Sequence, residues 1–83
     1  MKFGEFLKEL RERNGVGLRD YAREINMNSG NYCKIEASVL PPPNSRGKVL
    51  DLVRKLVLSR HEINDLVDLA QDYHVEKIVG RFK

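Results

Sequence analysis

The chain of 83 residues has no tryptophan and a single cysteine, Cys33, so an internal disulfide framework and a cysteine-rich zinc site are both excluded. Its two histidines, His61 and His74, have no Cys or His partners at ligand spacing and read as surface residues. No metal and no cofactor is expected. The prolines are confined to one triplet, Pro41 to Pro43, and no apolar run approaches the roughly 18 to 20 residues needed to span a bilayer. Lys2 is not followed by a signal-type apolar segment. Paired carboxylates, a nucleophile with its base and a phosphate-loop glycine pattern are all missing, which argues against an enzyme. A small cytoplasmic protein with one modest core is the expectation.

Positive charge is unevenly placed. Residues 1 to 48 hold nine Lys or Arg against six Asp or Glu, whereas residues 49 to 83 hold six of each, so the net charge of +3 resides in the first half. Phosphate backbones attract through summed positive potential, which makes that half the candidate nucleic-acid face.

Apolar spacing supplies the architecture. Phe3, Phe6, Leu7 and Leu10 fall at i, i+3, i+4 and i+7 and predict a helix that Asn14 and Gly15 stop. Leu18, Tyr21, Ala22 and Ile25 repeat the pattern over two turns, with Asp20 in the first. Asn26 then stands where a sharp turn needs a residue tolerant of left-handed backbone. The stretch "MNSGNYCKIE", residues 27 to 36, reads either as a loop or as a helix capped by Asn28, with Met27 and Tyr32 as a hydrophobic staple and Tyr32 and Ile35 facing inward. Ser29, Gly30, Asn31 and Lys34 then face out.

Two short helices joined by three residues form a helix-turn-helix. From Phe3 to Pro43 the chain resembles the Cro and phage-repressor-like helix-turn-helix family, also called the xenobiotic-response-element family. "LKELRERNGVGLRDYAREINMNSGNYCKIE" matches its first three helices, and "PPPNSRGKVLDLVRKLVL" continues the likeness more loosely. Asn26 stands where that family most often has Gly, Tyr21 where Leu is usual, and Ala37-Ser38 where a basic residue and Gly are common.

The resemblance implies a DNA-binding transcription regulator, a repressor in type, with an ion pair between Arg11 and Glu36. It places base reading at Ser29, Gly30, Asn31 and Lys34: Asn can bond adenine and Lys can donate to guanine, while Gly30 lets the backbone approach the groove. Phosphate contacts map to Leu18, Arg19, Arg23, Asn44 and Arg46. Double-stranded DNA is the partner so implied. The alternative is an antitoxin or another protein-binding regulator that uses the last helix and the C-terminal segment against a toxin or regulator. Cys33 reads as an inert small filler or, alternatively, an exposed redox-sensitive thiol.

The proline triplet reads as a rigid connector, rather than a polyproline ligand, leading to a fourth helix capped by Asn44 or Ser45. That helix should turn Val49, Leu50, Val53, Leu56 and Val57 inward. Ser59 and Glu62 form a capping box for a fifth, with Ile63, Leu66, Val67, Ala70 and Tyr73 on one stripe. The fold class is therefore all-α: a five-helix repressor-like domain over residues 1 to 73 and a C-terminal arm over 74 to 83. The arm carries its own displaced stripe, Val75, Ile78, Val79 and Phe82, which suits a homodimer contact. A two-fold dimer would read half-sites roughly 34 Å apart, one turn of DNA.

Overall fold

The computed structural model describes the backbone of residues 1–81 and the side chains of residues 1–75. Among the described residues there are five helices and no strand: α1 (Phe3–Arg13), α2 (Leu18–Glu24), α3 (Ser29–Glu36), α4 (Arg46–Val53) and α5 (Arg60–Arg81). The all-α repressor-like architecture is the one the apolar spacing predicts.

The first three helices end in the same way. In each, two backbone amides fold back onto the last turn around one residue in left-handed geometry, the pattern of a Schellman stop. Gly15 (φ 71°), Asn26 (φ 57°) and Ser38 (φ 62°) are those residues. After α3, for example, Ser38 N–H donates to Ile35 O at 3.1 Å and Val39 N–H to Lys34 O at 2.8 Å. Left-handed backbone strains every residue with a Cβ, Asn least. Ser38→Gly is therefore expected to stabilise the fold by about 0.5–1 kcal/mol, net of the extra freedom glycine gives the unfolded chain. Asn26→Gly should gain less. Thermal melts of the two variants beside the parent check that order.

The core joins both halves. Phe3, Leu7 and Leu10 of α1 meet Tyr21, Ala22 and Ile25 from α2 and its stop, and Tyr32 and Ile35 from α3. Val49, Leu52, Val53 and Leu56 close it from the α4 side, and Leu66, Val67 and Ala70 from α5. Tyr21 and Tyr32 are fully buried, their rings tilted at 55° with centroids 5.5 Å apart. The Tyr21 hydroxyl donates to Leu52 O at 2.6 Å, tying α2 to α4, and burial pushes its phenol up to about 12.

Two expectations for the fourth helix fail. Leu50 and Val57 face solvent, Val57 at 82% exposure, while Leu52, not expected inside, is buried. The helix stops after two turns at Val53, so the inward set is Val49, Leu52, Val53 and, past a turn, Leu56, which keeps the i, i+3, i+4, i+7 spacing. Val57 lies beyond the helix, where its amide donates to Asn14 Oδ1 at 2.9 Å. Asn14 in turn donates to Leu10 O at 2.8 Å, so one side chain joins the end of α1 to the α4–α5 connection.

The capping box forms as read. Glu62 N–H donates to Ser59 Oγ at 3.2 Å and Ser59 N–H to Glu62 Oε1 at 2.9 Å. Arg13 adds a two-pronged bridge to the same carboxylate, one prong 2.9 Å long. Arg13, then the Ser59 amide, holds Glu62 down to about 2. What this bridge adds is complete above the ordinary glutamate range and is lost as pH falls toward 2.

The predicted break after Tyr73 is not there. α5 runs without interruption from Arg60 to Arg81, so residues 74–81 extend the helix and do not start a separate arm. A change in the phase of apolar residues marks a change in what a helix faces and leaves its backbone hydrogen bonding unaffected. His74 is also not a plain surface residue: it is half-buried, and its ring Nε2 lies 2.9 Å from Pro42 O, joining α5 to the proline connector.

Candidate nucleic-acid interface

The front of α3 is built by its cap. Asn28 is in extended backbone, and its side-chain oxygen accepts from Asn31 N–H at 3.1 Å, satisfying one of the first-turn amides. Met27 packs against the core ahead of the cap and Tyr32 is buried behind it, which sets the angle at which the chain enters. Of the two readings of residues 27 to 36, the capped helix is the one adopted.

The back of α3 is anchored. Arg11 and Glu36 are the buried charged residues of the described chain, at 7% and 6% exposure. Arg11 Nε donates to Glu36 Oε2 at 2.7 Å and Nη2 to Oε1 at 3.0 Å, a planar fork on a planar carboxylate. Its Nη1 donates to Val16 O at 2.8 Å, so the guanidinium also holds the α1–α2 connection. Hydrogen bonding to Glu36 raises the Arg11 pKa against the opposing effect of desolvation. Tyr32 is enclosed beside the pair without a hydrogen bond of good geometry, and burial together with Glu36 pushes its phenol above the ordinary range.

A second anchor was not apparent in the sequence. A Cβ built on Gly4 would sit 2.4 Å from both Ile35 O and Glu36 O, so α1 rests directly on the backbone at the end of α3. No motif flags Gly4, because a close approach between residues so far apart in sequence, Gly4 and the pair Ile35 and Glu36, leaves no local pattern.

Between these anchors α3 turns Tyr32, Ile35 and Glu36 inward. Gly30, Asn31, Cys33 and Lys34 are exposed and Ser29 is half-buried. The base-reading candidates Ser29, Gly30, Asn31 and Lys34 thus share the outward side of one two-turn helix. Gly30 has a further constraint: a Cβ there would press on Asn28 Oδ1 at 3.0 Å, so its bareness also protects the cap.

The phosphate candidates divide. Arg19 and Arg23 are exposed on α2, one turn apart, and Asn44 is exposed in the connector. Leu18 is half-buried against the core, which leaves its backbone amide as the group it can offer. Arg46 opens α4 and its Nη1 donates to Asn64 Oδ1 at 3.4 Å, which draws it toward α5. Two cations the sequence reading passed over, Lys48 and Arg54, line a groove with Asn26 and Met27 of the interhelical turn. Ser45, not Asn44, caps α4, accepting from Lys48 N–H at 3.3 Å.

Two short helices joined across a left-handed stop, the second capped at its front, pinned at its back and polar along its outer side, make this a helix-turn-helix DNA-binding domain. The chain belongs to that family: residues 2–66 match the family described as helix-turn-helix domain. Neither the curated proteins nor the solved structures return a match to it. Among the described residues no helix is long and apolar enough to cross a membrane.

Proposed function

We propose that the protein is a sequence-specific double-stranded DNA-binding transcription regulator, a repressor that acts as a homodimer in the cytoplasm. α3 lies in the major groove, with Asn31 and Lys34 reading base edges, Ser29 assisting and Gly30 admitting the groove wall. Arg19, Arg23 and Asn44 hold phosphates, along with the Leu18 amide, and Arg46 does so only if it leaves Asn64. No catalytic step belongs to this reading. The observation that supports it best is the contrast within α3, where a buried ion pair and a side-chain cap fix a helix whose polar outer side is exposed.

Selection of random double-stranded DNA at two salt concentrations, with the parent and Lys34→Ala, tests it. The parent should recover a two-fold symmetric motif, and Lys34→Ala should blur one position in each half-site, a loss of roughly 1–3 kcal/mol in discrimination there. No enrichment at either salt would overturn the reading in favour of a protein-binding regulator.

Of the dimer candidates, Val75 is 56% exposed, and Ile78, Val79 and Phe82 lie outside the residues whose side chains are described.

A further inference from the structure

On the side of the domain formed by α1 and α5, a groove of about 700 Å³ runs between the start of α1, the connector after α3 and α5. Met1, Leu40, Leu69 and Tyr73 form its apolar walls, and a shallower depression beside it shares Met1 and Leu69 and adds Phe6. Four carboxylates surround the two, Glu5, Asp65, Asp68 and Asp72, against one side-chain cation, Lys2. Asp65 lies 3.6 Å from the exposed His61 ring; Glu5, Asp68 and Asp72 are exposed.

The sequence that ends the chain has the opposite character. Residues 76 to 83, "EKIVGRFK", carry Lys77, Arg81 and Lys83 against Glu76, interleaved with Ile78, Val79 and Phe82. The backbone of its residues 76–81 continues α5 beyond His74, whose ring Nε2 meets Pro42 O. An apolar groove rimmed by carboxylates and an apolar segment studded with cations complement each other in both respects.

We infer that this groove receives the C-terminal segment of a second copy of the chain, residues 76 to 83, in a reciprocal two-fold exchange. The inference rests on the homodimer of the proposed function and assigns its receiving surface. Each chain gives one segment and one groove, so both contacts form together and the assembly closes at two. The groove is also lined by Ile35 and Ser38, so the incoming segment rests on the end of α3 and makes pairing and the position of α3 interdependent.

Charge reversal tests this. Asp68→Lys/Asp72→Lys gives a chain with a basic groove and a basic segment, and Lys77→Glu/Arg81→Glu a chain with an acidic groove and an acidic segment. Sedimentation should find the parent dimeric, each variant at least tenfold weaker in self-association, and their equimolar mixture restored to a one-to-one dimer. Circular dichroism shows whether both variants keep the parent's helicity. If the variants pair as well as the parent, or the mixture stays monomeric, the groove assignment is overturned while a homodimer through another face still stands. A parent that is monomeric throughout overturns the groove and the homodimer together.

Discussion

Replacing Glu36 with alanine is expected to destabilise the fold by roughly 3 to 5 kcal/mol, because the Arg11 guanidinium is then left in a buried site without its counter-charge. A domain of this size has on the order of 5–15 kcal/mol in total, so the variant sits close to unfolding. The cost comes from the stranded charge and not from a large net gain in making the pair. Arg11→Met/Glu36→Leu, which removes both charges at similar volume, is accordingly expected to recover most of the loss. Urea titrations of the parent, the single and the double variant measure the difference, and a double variant no better than the single would refute the account.

The second large effect is at Gly4, where the ordinary rule is reversed. Gly to Ala inside a helix normally stabilises by up to about 1 kcal/mol. At Gly4 the new methyl would meet the Ile35 and Glu36 carbonyl oxygens at 2.4 Å, backbone atoms that cannot turn aside. α1 must back away, and with it the arm of Arg11 that reaches Glu36. Gly4→Ala is expected to cost about 2–3 kcal/mol, a fall in melting temperature on the order of 10–20 °C. Gly47 is the matched control, since it also occupies the second position of its helix but has nothing within 4 Å of a built Cβ. Gly47→Ala should raise the melting temperature. Equal shifts at the two sites would show that helix propensity, and not the α1–α3 approach, sets the outcome.

The residues that could be read in advance are those whose partners are near in sequence. Asn28 on Asn31, Ser59 with Glu62 and the left-handed Asn26 are all local, and the apolar spacing of α1 to α3 survives folding because those helices present one stripe to one core. The ion pair between Arg11 and Glu36 spans 25 residues, and it was legible only through family resemblance. Other distant contacts left no signature at all: Gly4 on the end of α3, the Tyr21 hydroxyl on Leu52 O, Arg46 on Asn64 and His74 on Pro42 O. The fourth helix was misjudged at Leu50 and Val57 because its length, two turns, decides which apolar residues remain in phase, and no strong stop marks Val53. On the outer side of α3 the sequence supplied the residue types and the structure adds their exposure.

The contrast between the two ends of α3 has a bearing on how such a protein diversifies. Arg11, Glu36, Gly4 and Asn28 hold α3 in place, and among the outward candidate positions Gly30 is the one where an added Cβ would press on that set, at the Asn28 oxygen, whereas Asn31 meets the same oxygen through its backbone amide alone. Ser29, Asn31 and Lys34 are therefore open to drift under selection for a different target at little structural cost, while Gly30 is held. A lineage built on this scaffold would change its preferences by substitution at three positions and keep the fourth, so that variation among its descendants follows the architecture of the cap.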